Sequence, residues 1–247
     1  MSVFHKTKNG ILDLLFPALC VGCQREGTYL CEKCKIFAGE APLICPICEG
    51  STFTGERHMS CSSRYGLDGL VGVWENQGII KRLLAQVKYN GIIHAVSEIV
   101  ENAFSLMAAD TARFQRFLSF LFGEQSPAPY GAGQSSIAFV PMYRKKERKR
   151  GFNQAELIAK ELGRIASREV ISLLLKVKDT PSQTELDKEE RISNVKDSFA
   201  IRSESIPFHV VLVDDIWTSG ATLRECCKVL KKSGVKTVWG FTLARTV

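Results

Sequence analysis

Two adjacent carboxylates, Asp214 and Asp215, close an apolar, β-branched run from His209 to Val213, and after Ile216 and Trp217 comes Thr218-Ser219-Gly220-Ala221-Thr222. In an open parallel sheet the ligand crevice lies at the carboxyl ends of the strands, so acids placed there meet a substrate. The loop offers three hydroxyls, a glycine that lets the backbone come close, and the free amides of a helix N-terminus. Such a set suits a dianionic phosphate. A bare acid pair repels phosphate unless it holds something neutral beside it, and sugar hydroxyls meet that need. The competing account is a turn in which one Asp caps the next helix. It leaves the hydroxyl- and glycine-bearing loop without a role.

A second chemistry sits near the N-terminus. Seven of the nine cysteines precede residue 62, and the first four read C-x2-C-x7-C-x2-C at Cys20, Cys23, Cys31 and Cys34. Two such knuckles place four thiolates about one zinc ion at about 2.3 Å each. Cys45 and Cys48 repeat the unit, but their partner pair is His58-x2-Cys61. Imidazole replaces thiolate as a zinc ligand, so a CCHC site is chemically complete. A metal-free second ribbon with His58 at the surface, and an interleaved pairing of the ribbons, are the other arrangements this spacing allows. So short a segment has little apolar core of its own, and metal would supply much of its folding free energy.

The third group is cationic. Arg144, Lys145, Lys146, Arg148, Lys149 and Arg150 fall in one stretch broken only by Glu147, in a chain of formal charge +7. Anionic partners, phosphates or nucleic acid, are favoured.

The elements that must hold these groups can be read from periodicity. LVGVW (70–74) predicts a strand, Gly78 to Tyr89 an amphipathic helix, and Ala95 to Ala109 another. SIAFVPM (136–142) predicts a buried strand leading straight into the basic run. Asn153 is placed to cap a helix over Ala155 to Ala166. After the loop at 218–222, Leu223, Cys226, Cys227 and Leu230 share one face of a last helix ending near Gly234, which makes both cysteines core residues. The stretch Gly123 to Ser136, rich in Gly, Pro and Ser, reads as a surface loop or insertion. Two domains are expected, residues 1–64 and 65–247. No stretch approaches the roughly 18 apolar residues of a membrane helix, and the first twenty residues lack a small-residue cleavage site. The expectation is a soluble, cytoplasmic protein without membrane insertion, its CxxC pairs binding metal.

The run VVLVDDIWTSGAT (210–222) closely resembles the phosphoribosyl-pyrophosphate signature of type I phosphoribosyltransferases. Together with the cysteine ribbons, YRKKERKRGFNQAELIAKEL (143–162) and DTPSQTELDKEERISNVKDSF (179–199), it makes the chain resemble the ComF family from about Leu14 to Arg245. The 123–136 insertion and His58 in place of a ribbon cysteine depart from the family pattern. The resemblance implies an α/β fold, a type I phosphoribosyltransferase-like parallel sheet with flanking helices, preceded by a double zinc ribbon. It implies that Asp214 and Asp215 bind ribose hydroxyls at the catalytic centre, and that Thr218, Ser219, Gly220, Ala221 and Thr222 hold the 5′-phosphate of phosphoribosyl pyrophosphate. Magnesium would accompany that donor. The basic run would lead into a mobile loop closing over pyrophosphate, with Arg148, Lys149 and Arg150 as the contacts; a solvated or nucleic-acid-binding basic face is the other reading. Lys88 reads first as a surface lysine. Gln183, Arg191 and Asn194 match a recurrent family segment and serve recognition or structural bonding.

For function, the resemblance implies a phosphoribosyltransferase of open acceptor tied to competence and the handling of incoming single-stranded DNA, with other competence proteins such as a ComF-type helicase as partners. A non-catalytic nucleic-acid-binding accessory, or a module that senses the donor, is the alternative.

Overall fold

The computed structural model describes residues 17–61, 63–123, 135–180 and 193–247. Gln183, Arg191 and most of the Gly/Pro/Ser-rich stretch lie outside them.

The elements run in the order α1 (Glu32–Lys35), β1 (Gly69–Glu75), α2 (Gly78–Asn90), α3 (Ala95–Ala109), α4 (Thr111–Phe122), β2 (Ser136–Phe139), α5 (Arg144–Arg150), α6 (Gln154–Ala166), β3 (Val170–Ile171), β4 (Leu174–Lys176), β5 (Phe199–Ile201), β6 (His209–Trp217), α7 (Ala221–Lys232) and β7 (Thr237–Arg245). Five strands form one sheet in the order β1-β7-β6-β2-β3, and every neighbouring pair is parallel. β4 and β5 make a separate antiparallel ribbon.

The α/β class expected from the sequence is therefore the one observed. β7 is buried along its whole length, and both its faces are covered, which is why such strands read as unbroken apolar runs. Phe117 of α4 stacks on Phe241, ring centroids 5.6 Å apart, and lies 5.8 Å from Trp239. On the opposite face, a side chain at Gly240 would meet Leu223 of α7. The sheet is thus sandwiched between α4 and α7.

α4 was not legible as an element, yet its signal is present: Phe114, Phe117, Phe120 and Leu121 are its buried residues. They recur at helical spacing. The Asp110 carboxylate caps the helix by accepting from Arg113 N at 3.3 Å, and Gly123 ends it in the left-handed region at φ 65°. Across the 123–136 stretch, Ser135 Oγ donates back to Phe120 O at 2.9 Å, so the two ends of that stretch meet.

The cysteine-rich segment packs on the edge strand. Leu70 N donates to Gly55 O at 2.8 Å and Ala41 N to Val73 O at 3.0 Å. Glu98 of α3 accepts from Tyr29 N at 3.0 Å and Leu30 N at 2.8 Å, and from the Thr28 hydroxyl as well. That carboxylate joins the first knuckle to the helical layer.

Candidate functional site: an anion cleft and two cysteine centres

β6 does not stop at Val213. It stays in register with β7 through Asp214↔Thr242 to Trp217↔Arg245, because the ladder, not side-chain apolarity, sets strand length. β2 leaves earlier: its pairing ends at Phe139↔Val213, and Val140 N donates to Val213 O at 2.9 Å. Asp214 and Asp215 begin where β2 turns away, so the acid pair stands at the mouth of the gap opened between two parallel strands. This is the position an open α/β sheet uses for ligands.

A cleft of about 380 Å³ occupies the gap. Asp214, Asp215, Thr218, Gly220, Ala221 and Thr222 line it, together with Lys81 and Lys88 of α2, Lys146 and Arg150 of α5, Gln154 of α6 and Lys176 of β4. Five cations on one cleft favour anions there.

Gly220 shapes the loop. It holds φ +70°, and a Cβ there would stand 2.2 Å from the Trp217 ring, so only glycine both adopts this backbone and clears the indole. Ser219 turns inward instead of lining the cleft; it is 4% exposed and its Oγ accepts from Ala221 N at 3.4 Å. Its backbone, rather than its hydroxyl, serves the loop.

The acids are unequal. Asp214 Oδ1 accepts from Asp215 N at 2.9 Å, yet burial and the neighbouring Asp215 push the Asp214 carboxyl well above the ordinary range, with Lys88 opposing. A half-buried carboxyl in this state gains from hydroxyl donors and from cations brought beside it. Burial also lowers the Lys176 ammonium, helped by Lys146, while Cys226, Asp214 and Asp179 act against the shift.

The basic run is a seven-residue helix, not a loop. At about 100° per residue a helix cannot turn all its cations one way. Lys146 and Arg150, four apart, line the cleft, whereas Arg144, Lys145, Arg148 and Lys149 are exposed. Arg148 borders a separate surface depression with Arg144 and Glu147. Of the three cations expected at a pyrophosphate, the structure brings only Arg150 to the cleft. Arg148 and Lys149 lie on exposed faces of the helix outside the cleft lining, and Lys146 lines it beside Arg150.

Sequence reasoning also missed Lys176 and Gln154, and ranked Lys88 as a surface lysine. Lys88 was accessible through its spacing from Lys81 along α2. Lys176 sits on a three-residue strand with no pattern of its own. Asn153 caps α6 as expected, accepting from Ala155 N at 3.1 Å, and this brings a second helix N-terminus to the cleft. Cys226 and Cys227 are fully buried, and burial raises both thiols.

The cysteines form two groups, Cys20-Cys23-Cys31-Cys34 and Cys45-Cys48-His58-Cys61, whose ligand atoms lie within 4.8 Å of one another in each group. Tetrahedral zinc–thiolate coordination puts ligand atoms roughly 3.8 Å apart. Cys23 and Cys31 sulfurs are separated by 3.6 Å, and His58 Nδ1 lies 3.4 Å from the Cys48 sulfur and 3.9 Å from that of Cys61. His58 Nε2 is 3.1 Å from Ser51 O. A hydrogen bond there fixes the tautomer that leaves Nδ1 free to ligate.

The thiols are arranged for cations as well. Burial disfavours the Cys20 thiolate, but the N–H groups of Cys31, Cys23 and Gly22 outweigh it and bring the thiol down to about 6. Cys45 falls to about 7 against burial through Cys48, His58 and Ile47 backbone groups. Cys34 rises to about 12, driven by burial and its neighbouring thiols; Cys61 rises to about 11, mainly through Cys48 and burial. Each group concentrates negative charge that a divalent metal neutralises, and each can hold a zinc ion. The pairing is sequential, not interleaved.

Fold and site define an α/β protein whose parallel sheet carries an acid pair and an anion loop at its strand ends, with paired cysteine centres on its edge. No family model matches the chain. Among curated proteins it is 36% identical to "Competence protein F" of Haemophilus influenzae over 114 residues, 44% of this chain and 50% of that protein. It is 25% identical to "DNA utilization protein YhgH" of Salmonella typhi over 231 residues, 93% and 90% of the two chains. With "Competence protein ComFC" of Streptococcus pneumoniae it shares 32% over 106 residues, 43% and 46% of the two. The alignments thus span about half the length of the two competence proteins and nine-tenths of the Salmonella protein. The chain is thus similar to proteins named for competence and for DNA utilization. Among the described residues no helix is long and apolar enough to cross a membrane.

Proposed function

We propose that the chain binds phosphoribosyl pyrophosphate with magnesium in the cleft beside Asp214 and serves the handling of incoming single-stranded DNA. The observation that carries the first half is the shared cleft itself. Acids for hydroxyls, a glycine-pivoted amide loop for a phosphate and a bank of cations for a second phosphate group lie around one cavity of about 380 Å³, the size of a small-molecule site.

In this reading Asp214 and Asp215 accept from the ribose hydroxyls, and the amides of Gly220 to Thr222 hold the 5′-phosphate at the positive end of α7. Lys146, Arg150 and Lys176 face the pyrophosphate, where negative charge grows as the sugar–oxygen bond lengthens; fixed cations there stabilise the departing group. Asp214 and Asp215 are the carboxylates that line the cleft, a donor set that fits magnesium held chiefly by the ligand's own oxygens and water. When bound, magnesium supplies charge neutralisation at the leaving group. The reaction class is phosphoribosyl transfer, tested by pyrophosphate release in wild type beside Asp214→Asn and Asp215→Asn. A donor-sensing module would bind without release.

The DNA half rests on the four exposed cations of α5, which point away from the cleft, and on relatives whose names speak of competence and DNA utilization. In this reading residues 1–64 form a zinc-stabilised module and residues 65–247 the donor-binding domain, in the reducing cytoplasm where free thiols persist. Competence proteins of the helicase kind are the expected partners.

A further inference from the structure

Arg224, in the first turn of α7, reaches out of the helix to two separate parts of the molecule. Its Nη1 donates to Ser219 O in the anion loop at 3.0 Å. Its Nε donates to Pro46 O at 3.0 Å and its Nη2 to Glu49 Oε1 at 2.8 Å. Pro46 and Glu49 belong to the knuckle that carries Cys45 and Cys48. That knuckle is a tight turn closed by Glu49 N to Cys45 O at 2.9 Å and Cys45 N to Gly50 O at 2.8 Å, with Glu49 in the left-handed region at φ 62°. The guanidinium carbon also sits 5.0 Å from the centroid of the Trp217 ring, the same ring that packs against Gly220.

We propose that Arg224 is a positioning residue that makes the geometry of the anion loop depend on metal at the Cys45-Cys48-His58-Cys61 centre. The loop binds an anion only if its N–H groups face the cleft and its carbonyls face elsewhere. Arg224 holds the Ser219 carbonyl away from the cleft and fixes the indole against which Gly220 turns. A planar guanidinium with three acceptors around it is a rigid bracket, which the point charge of a lysine would not reproduce. The bracket is anchored in the turn between two of the centre's ligands, so the metal that draws Cys45 and Cys48 together also fixes Pro46 O and Glu49. Loss of that metal releases the anchor and, through Arg224, the loop. The sugar phosphate of the proposed function is the ligand whose affinity responds, so the inference rests on that reading for its ligand but not for its mechanical link.

The test uses full-length, metal-loaded protein. Phosphoribosyl pyrophosphate with magnesium is titrated by calorimetry, amide exchange is followed in residues 217–224, and metal is counted in wild type, His58→Ala, Arg224→Met and the double variant. Each single change is expected to weaken the donor about tenfold and to speed exchange at 218–222. Arg224→Met keeps its metal, and the double variant is no weaker than the worse single, since both break one chain of contacts. Additive losses, or unchanged exchange at 218–222 in His58→Ala, overturn the link. If His58→Ala does not fold, Glu49→Ala removes the anchor without touching a ligand and must show the same faster exchange with full metal content. A wild type that ignores the donor would overturn the proposed function, while the exchange data would still decide the link.

Discussion

Arg150 and Gln154 face each other across the turn from α5 to α6, and the guanidinium donates to the amide oxygen at 2.9 Å. The pairing fixes which way the amide points. Gln154 is 5% exposed, and its Nε2 has no partner among the described residues while the residue lines the cleft. A buried N–H without an acceptor costs stability on the order of 1–3 kcal/mol, and a ligand oxygen entering the cleft would recover it. Gln154→Leu is therefore expected to leave thermal stability equal or raised while lowering phosphoribosyl-pyrophosphate affinity about tenfold. Calorimetry beside a melting curve checks it, and a fall in both together would mean the amide is structural.

The Asp214 carboxyl gives a pH dependence. Its folded pKa lies well above the ordinary 3.8 because burial and Asp215 disfavour the charge, so its contribution to stability is fully present below that ordinary value and is lost as pH rises through the folded one. Asp214→Asn removes the ionisation. The variant is expected to gain melting temperature over wild type at pH about 8, with the gain shrinking towards acid, and to lose donor binding at every pH.

Gly220→Ala combines a clash with a backbone that alanine disfavours. A Cβ would stand 2.2 Å from a Trp217 ring atom at φ +70°. A cost of about 1–3 kcal/mol, read as a lowered melting temperature, should accompany loss of donor binding.

The two faces of α5 should separate in solution. Neutralising Arg144, Lys145, Arg148 and Lys149 is expected to weaken single-stranded DNA binding and flatten its dependence on salt, by about 0.7 in logarithmic slope for each phosphate that is no longer neutralised. Donor affinity should be little changed. Lys146→Gln with Arg150→Gln should do the reverse. If all six cations act alike on DNA, the helix is a uniform basic surface.

The acid pair, the glycine loop, the cap at Asn153 and both cysteine groups were legible because each is a local pattern: chemistry and spacing lie within a few residues. What escaped depends on neighbours distant in the chain. The early departure of β2 at Val213, which opens the crevice, is a fact of strand pairing. Lys176 joins the cleft from a ribbon formed with residues some twenty-five positions later. The basic run was legible as charge but not as a helix, since six cations around a single glutamate weaken helical preference. The helical state decides which of them line the cleft. Arg224 carries no motif at all; its partners lie 178, 5 and 175 positions away, and only the folded chain brings the cysteine knuckle to the anion loop.

Calorimetric titration of the intact, metal-loaded protein with phosphoribosyl pyrophosphate and magnesium bears most directly on the cleft. Saturable heat at one site per chain, abolished by Asp214→Asn or Asp215→Asn and retained in Lys149→Gln, is the expected result. No heat at millimolar donor, or heat unaffected by loss of either carboxylate, would contradict it.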